Sequence, residues 1–238
     1  QTAYLKTYYP VEFMAALMTS VMNLPDKISE YIVACRKMDI KLLPPDINES
    51  FHNFSVSDGK IRYSLSAIKN VGAGNVRALV DERKKNGNYI SMTQFLNRLS
   101  KDLNTRAIES LIKGGAFDSL GGKRSQYMSV YKQIYNGIGQ AKKRTMAGQI
   151  SLFEATQEKD EEIYEDILPK IEEFPKKQLL SEEKSVLGIY VSGHPLFEYK
   201  EVLEKYINCT SIDFSSEHNQ MYDSQKVVIG GIISEISV

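Results

Sequence analysis

Glycine-containing turns divide residues 66–136 into short segments, and this spacing limits the fold more than any other feature of the sequence. Between the turns, apolar residues recur at helical intervals over about ten residues. Glycine ends such runs because it adopts the left-handed backbone conformation without strain. The turns are Gly72-Ala73-Gly74, Asn86-Gly87, Gly114-Gly115 and Asn136-Gly137. We therefore predict a compact module of helices at 75–85, 91–99, 105–113 and 124–135.

Polar residues predict where two of these helices begin. Ser91 and Gln94 make a capping-box pattern, in which each side chain accepts a hydrogen bond from the other residue's backbone N–H. Asn104 precedes the run TRAIESLIK and suits the N-cap of the helix that follows.

Residues 1–65 predict two longer helices and a β-hairpin. The segment YYPVEFMAALMTSVMN has a wide apolar face, with Pro10 in its first turn. DKISEYIVACRKM forms the second helix, with Asp26 as its N-cap. The alternating runs NFSV and KIRYSL flank Ser57-Asp58-Gly59, which is a tight-turn signal. The predicted fold class is therefore mainly α with small β elements.

A formal net charge of zero conceals a segregated charge distribution. Residues 60–145 contain 17 Lys and Arg against 5 Asp and Glu, whereas residues 154–205 contain 7 against 14. Ordinary solvated surfaces explain scattered charge, but they do not explain a block of one sign. Such a block is typical of a protein that binds a polyanion. We therefore predict a nucleic-acid partner for the basic block.

Several classes of protein and site are excluded. No apolar run reaches the roughly 18 residues that a membrane-spanning helix requires, so no membrane partner is predicted. Cys35 and Cys209 fit neither a disulfide framework nor a metal site, which favours a reducing, cytoplasmic location. His52, His194 and His218 have no suitable partner nearby in the sequence. We therefore predict no catalytic and no metal-binding residue in this chain.

The glycine pair at Gly72 and Gly74 does not match either common nucleotide-binding loop. A dinucleotide fingerprint requires a third glycine at the position of Arg77. A phosphate loop requires Gly-x-x-x-x-Gly-Lys-Ser/Thr, which the sequence lacks. The remaining functional interpretation is a hairpin that binds phosphate. Its alternative is a glycine cap between packed helices.

In the phosphate-binding interpretation, Ser66–Asn70 forms a short helical turn, Val71–Gly74 a tight hairpin, and Asn75 begins a second helix. Unpaired amides and the helix dipole then attract an anion between Lys69 and Arg77. This pattern resembles the helix-hairpin-helix motif, and LIKGGAFDSL resembles a second copy that has Gly-Gly-Ala in place of Gly-x-Gly. Such hairpins bind backbone rather than bases. The predicted DNA-contacting residues are Lys69, Val71, Gly72, Ala73, Gly74, Asn75, Arg77, Lys113, Gly114 and Gly115.

A second short motif lies between the strong helical segments. Gln149-Ile150-Ser151-Leu152-Phe153 resembles the peptide by which bacterial proteins bind the sliding clamp. The glutamine amide both donates and accepts hydrogen bonds, and Leu152 and Phe153 are apolar anchors for a cleft. The pentapeptide is short, so a role in a local core is its alternative.

Together these segments resemble the alpha subunits of bacterial DNA polymerase III, the C-family replicative polymerases. The end of the family's fingers region is similar to AYLKTYYPVEFMAALMTS and CRKMDIKLLPPDIN, and its tandem hairpins are similar to AIKNVGAGNV and LIKGGAFDSLG. Its clamp motif is similar to GQISLF, and its approach to the OB domain is similar to LGIYVSGHPL. The resemblance implies the end of the fingers at 1–65, the hairpin module at 66–136, a linker at 137–178, a helical connector at 179–225, and the first strand of an OB-type barrel at 226–238.

This resemblance implies a segment of a DNA-directed DNA polymerase that binds double-stranded template–primer DNA, the sliding clamp and other replisome subunits. The Mg²⁺-binding carboxylates would belong to a palm domain outside the chain, so we expect no cofactor here and no activity from the segment alone. A start at Gln1 and an end within KVVIGGIISEISV favour a piece of a longer protein. A DNA repair or recombination protein and a protein–protein platform are the two alternatives.

Overall fold

The computed structural model describes residues 2–146, 166–209 and 226–233, which belong to two compact units at 1–192 and 193–238. The described helices of the first unit are α1 Thr2–Tyr8, α2 Pro10–Ser20, α3 Pro25–Lys37, α4 Ala73–Asn86, α5 Met92–Leu99, α6 Thr105–Lys113, α7 Arg124–Met146 and α8 Lys176–Leu187. Its strands are β1 Leu42–Leu43, β2 Ser55–Ser57 and β3 Lys60–Arg62. The mainly helical fold with small β elements is confirmed. None of the described helices is both long and apolar enough to span a bilayer.

Two prolines set the start of the N-terminal helices. Pro10 and Pro25 are the first residues of α2 and α3, where a missing backbone N–H costs nothing. The prediction of Asp26 as an N-cap is wrong, because Leu24 occupies that position and Asp26 lies within the first turn. The fixed φ of Pro25 suits the first helical residue, so the helix begins one residue before Asp26 can cap it.

The predicted β-hairpin is confirmed, and a third strand joins it. The sheet has the order β1-β3-β2, with β2 antiparallel and β1 parallel to β3. Asp58 and Gly59 form the turn with φ values of 49° and 69°. Positive φ at both positions matches the twist of a two-residue hairpin, and it explains the Asp-Gly pair. Ile61 of β3 is fully buried, so the sheet is part of the core.

Aromatic side chains connect the helices of the hairpin module. The ring centroids of Tyr89 and Phe95 lie 4.9 Å apart, those of Phe95 and Phe117 lie 5.0 Å apart, and those of Phe117 and Tyr127 lie 5.9 Å apart. All four rings are buried. These rings therefore pack α5 and α7 against the loop that follows α4 and the loop that follows α6.

Both predicted N-caps in the module are confirmed. Ser91 Oγ accepts a hydrogen bond from the Gln94 N–H at 3.0 Å, and Asn104 Oδ1 accepts one from the Ala107 N–H at 2.8 Å. The reciprocal half of the capping box differs, because Gln94 Oε1 accepts from the N–H of Ile90 rather than from that of Ser91.

Helix α7 is longer than the sequence predicts. It passes through Asn136-Gly137, the predicted end of the helix, and continues to Met146. A glycine inside a helix costs about 1 kcal/mol but does not end the helix unless its backbone turns left-handed. Ile134 and Ile138, one turn apart, pack against the core and offset that cost. Residues 137–146 of the predicted linker are therefore helical.

The second unit contains a 3-10 turn at Pro195–Tyr199 and helix α9 at Lys200–Tyr206. Residues 226–233, where a first strand was predicted, have no strand assigned. A strand needs a partner strand for its backbone groups. Here the N–H of Val228 donates to Asn208 Oδ1 at 2.7 Å, and its carbonyl accepts from the N–H of Asn208 at 3.1 Å. The OB-type barrel itself stays a prediction.

Candidate nucleic-acid interface

The first hairpin is present, with boundaries that differ from those predicted. Its first helical turn is a 3-10 turn at Leu65–Ala67 instead of Ser66–Asn70, because Ser64 Oγ accepts from the N–H of Ser66 at 3.1 Å and starts the turn earlier. Helix α4 begins at Ala73, two residues before the predicted Asn75. Gly72 is its N-cap residue, and its carbonyl accepts from the N–H of Val76 at 3.1 Å.

We call Val71–Asn75 the elbow. Val71 anchors it, because this side chain is only 5% exposed and its N–H donates to the carbonyl of Ile68. Gly72, Ala73 and Gly74 are exposed, and no side chain caps the start of α4. Helices α5 and α6, by contrast, both have side-chain caps. The first turn of α4 therefore presents backbone N–H groups on a surface without a capping side chain.

The strained residue of this hairpin is Asn70, with a φ of 67°, and not a glycine. Gly72 has a φ of −72°, which any residue can adopt, so the prediction that the glycines supply unusual backbone angles is wrong. What the glycines contribute instead is a surface without side chains. A Cβ at Gly74 would meet no heavy atom within 4 Å, so the missing side chain leaves open space over the helix start.

Two cations stand on either side of the elbow. The side chains of Lys69 and Arg77 are exposed, and neither makes an ion pair or hydrogen bond within the described part of the chain. The backbone N–H of Lys69 donates to the carbonyl of Val186 at 2.9 Å, which fixes this position against α8. The predicted grouping of Lys69, the elbow and Arg77 is therefore present on one exposed hairpin.

A cleft beside the hairpin brings together residues that are far apart in sequence. We call it the basic cleft. Its lining residues are Lys69, Asn70, Arg106, Glu109, Ser110, Lys113, Ser185 and Val186. It joins Lys69 and Lys113, which were predicted at separate hairpins. Arg106 was not among the predicted residues, because its only sequence signal is its position as a basic residue in the first turn of α6.

Glu109 is the carboxylate of the basic cleft, and it is engaged by neighbours. Lys113 Nζ donates to Glu109 Oε1 at 2.7 Å, and the hydroxyl of Tyr131 donates to Oε2 at 3.0 Å. The hydrogen bond from Lys113 lowers the pKa of Glu109 against the opposing effect of burial, and the Tyr131 bond adds to this. Lys113 is therefore held in place and partly neutralised.

The glycines of the second hairpin lie inside the protein. The N–H of Gly114 donates to the carbonyl of Ser110, and that of Gly115 donates to the carbonyl of Ile112, both at 2.9 Å. Gly115 has a φ of 81°, and a Cβ there would collide with the Arg124 guanidinium and the Asp118 carboxylate. The DNA contact of Gly114 and Gly115 stays a prediction, and the structure shows that both backbone N–H groups already donate within the chain. The alternative of a glycine cap between packed helices holds at this hairpin.

The helix that follows the second hairpin, α7, has its start occupied by the chain's own carboxylate. Glu173 accepts hydrogen bonds from the N–H groups of Arg124 and Ser125, both at 2.9 Å. Burial alone would raise the pKa of Glu173, but these bonds and one from the N–H of Phe174 lower it. The start of α7 therefore does not offer the uncapped N–H groups that the start of α4 offers.

Part of the basic excess supports the fold rather than a ligand site. Arg83 is buried and donates to the carbonyls of Ile47 and Ser50 at 2.6 and 2.9 Å. Arg124 is buried and lies between Asp118, at 2.6 Å, and Glu183, at 3.5 Å. The charge count of residues 60–145 therefore overstates the positive surface.

Two other predictions concern the clamp peptide and metal binding. The predicted clamp peptide, Gln149–Phe153, lies outside the described residues. Within residues 2–146, 166–209 and 226–233, no group of three or more His, Cys, Asp or Glu side chains is arranged to hold a metal ion.

Comparison with known proteins shows which proteins the chain is similar to. A family model described as a helix-hairpin-helix motif matches residues 39–127. The chain is 37% identical over 239 residues to DNA polymerase III subunit alpha of Thermus aquaticus, covering 99% of this chain and 19% of that protein. The proteins of the same name from Campylobacter jejuni and Escherichia coli are 42% and 37% identical over 224 and 209 residues, covering 92% and 87% of this chain. The resemblance to these alpha subunits is confirmed, and the chain spans about a fifth of their length.

Proposed function

We propose that this chain is a segment of a replicative DNA polymerase catalytic subunit and that it binds the backbone of template–primer duplex. The elbow is the observation that carries the proposal. It combines uncapped N–H groups at the start of α4, an exposed surface without large side chains, and the unpaired cations Lys69 and Arg77. The proposal is further supported by the name of the similar proteins, DNA polymerase III subunit alpha, and by the match to the helix-hairpin-helix family model.

The chemistry of the elbow suits a phosphodiester. A phosphate oxygen accepts hydrogen bonds from the first N–H groups of α4, where the helix dipole adds partial positive charge. Lys69 and Arg77 add charge that releases counterions from the duplex. No part of this arrangement reads base edges, so binding is independent of DNA sequence. A polymerase that moves along its template requires this kind of contact.

We further propose that residues 1–65 complete a fingers region and that Gln149–Phe153 binds the sliding clamp. The clamp assignment is supported by the sequence pattern alone. Joining two modest contacts, one to DNA and one to the clamp, raises the effective affinity by about 10²–10⁴ when both can form together. Phosphoryl transfer and its Mg²⁺ belong to a palm domain outside the chain, so this segment holds the substrate and does not react with it.

The experiment is a fluorescence anisotropy titration of the 238-residue chain with a labelled primer–template duplex at several salt concentrations. We expect saturable binding that weakens as salt rises, and we expect Arg77→Gln to reduce the salt slope by about one. Lys84→Gln is the matched control, because Lys84 is an exposed cation at the other end of α4. Binding that does not saturate, or that ignores salt, would instead favour a protein–protein platform.

A DNA repair or recombination protein would pass the same binding test. The two are separated by the sequence that precedes Gln1 in the full-length gene product. A polymerase must supply paired metal-binding carboxylates there.

A further inference from the structure

The basic cleft is a built feature of the first unit. Three chain segments form it, and two hydrogen bonds hold them together: Lys69 N–H to the carbonyl of Val186 at 2.9 Å, and Asn70 Nδ2 to Ser110 Oγ at 3.1 Å. Asn70 itself adopts the left-handed conformation, with a φ of 67°. The cleft therefore keeps a defined set of walls beside the elbow.

The charges of the basic cleft are unbalanced. Of its three cations, Lys113 is paired with Glu109, and that carboxylate also accepts from Tyr131. Lys69 and Arg106 have no hydrogen bond or ion pair from their side chains within the described ranges. Two uncompensated cations that face one cleft raise its potential and attract an anion.

The chemistry of the lining identifies the class of anion. Besides the cations, the described lining offers the amide of Asn70 and the hydroxyl of Ser110, whereas the hydroxyl of Ser185 already donates to the carbonyl of Glu182. The described lining includes no aromatic ring on which a base could stack. An arginine fork and hydroxyl donors suit phosphate oxygens. The cleft therefore fits a phosphate group and not a nucleobase.

We propose that the basic cleft binds a second backbone phosphate of the same duplex that contacts the elbow, with Arg106 and Lys69 as its charged ligands. This inference rests on the proposed function. It extends the DNA contact from the start of α4 to the first turn of α6 and to Ser185 of α8. The chain then binds duplex through one exposed hairpin and one cleft, in place of the two equivalent hairpins that the sequence suggests.

The first test removes the charge of Arg106. In the anisotropy assay with primer–template duplex, Arg106→Gln is expected to reduce the salt slope by about one and the affinity by about 3- to 10-fold near 0.1 M salt. Lys84→Gln is the control and should change affinity less than twofold. Equal behaviour of the two variants would overturn the proposal.

The second test places a negative charge at Ser185 of α8, which lines the basic cleft. Ser185 is exposed, and its hydroxyl donates only to the carbonyl of Glu182 at 2.7 Å, so Ser185→Glu should fold normally. Ser129 of α7 has the same setting, exposed and bonded to the carbonyl of Gln126 at 2.7 Å, which makes Ser129→Glu the matched control. We expect Ser185→Glu to weaken duplex binding at least fivefold more than Ser129→Glu. Thermal melting of each variant verifies folding.

The outcomes distinguish a failure of the proposed function from a failure of the phosphate site in the basic cleft. If the unmodified chain shows no saturable, salt-dependent binding, or if Arg77→Gln leaves binding unchanged, the proposed function fails. If those results hold but Arg106→Gln and Ser185→Glu behave as their controls do, the elbow binds duplex and the basic cleft does not.

Discussion

Replacing Gly74 with alanine separates stability from DNA binding at the elbow. Gly74 is the second residue of α4, it is exposed, and a Cβ there would meet no heavy atom within 4 Å. Alanine restricts the unfolded chain and favours the helix, so we expect Gly74→Ala to stabilise the protein by about 0.5–1 kcal/mol. For a chain of this length that corresponds to a rise in melting temperature of about 1–4 °C.

The same methyl group should impair binding. In a helix the Cα–Cβ bond tilts toward the N-terminus, so the new Cβ points toward the exposed N–H groups of the elbow. A phosphate oxygen kept from those N–H groups forfeits a charge-assisted hydrogen bond worth about 1.5–3 kcal/mol, which is roughly a 10- to 100-fold loss in affinity. Gly74→Asp should lower affinity further, because it places a negative charge at the same point.

The matched control is Gly137→Ala in α7. Gly137 is also exposed and helical, with no heavy atom within 4 Å of a Cβ. We expect this variant to gain about 1 kcal/mol and to bind duplex normally. The assays are thermal unfolding by circular dichroism and anisotropy titration. A Gly74→Ala protein that is stabilised and still binds with unchanged affinity and salt slope would refute the claim that backbone groups of the elbow contact DNA.

Two further predictions concern other parts of the chain. Replacing Gln149, Leu152 and Phe153 with alanine should abolish binding to an immobilised sliding clamp in surface plasmon resonance while leaving duplex affinity nearly intact; retained clamp binding would discard the peptide assignment. The pKa values of Glu109 and Glu173 are lowered in the folded protein, so the stability that they contribute is present above their usual value of 4.5 and is lost as pH falls below it. Glu173→Gln should therefore lower the urea unfolding midpoint at pH 7 by an amount equivalent to about 1 kcal/mol. It should also make the unfolding midpoint fall less steeply as the pH is lowered. If the midpoint of the variant depends on pH as that of the unmodified protein does, the carboxylate at the start of α7 contributes nothing to stability.

Features that depend only on neighbouring residues could be predicted from the amino-acid sequence. Pro10 begins α2, Asn104 caps α6, and Asp58-Gly59 turns the hairpin, because each effect acts within a few residues of the backbone. The first hairpin was also predictable, since an apolar anchor at Val71 and a glycine pair before a helix are local signals. Two boundaries failed because another local residue competed, as Pro25 does with Asp26 and as Ser64 does at the first turn of the hairpin. The predicted end of α7 failed for a different reason, because Ile134 and Ile138 pack against the core.

Tertiary structure alone decided which glycines face solvent. Gly74 and Gly115 belong to similar patterns in the sequence, yet open space lies over Gly74, whereas Arg124 and Asp118 crowd Gly115. The basic cleft likewise depends on Lys69, Arg106 and Ser185, which only folding brings to one place. Local patterns specify backbone geometry through short-range sterics and hydrogen bonds. Access to a ligand depends on what packs against that backbone, and those contacts come from residues that are distant in the sequence.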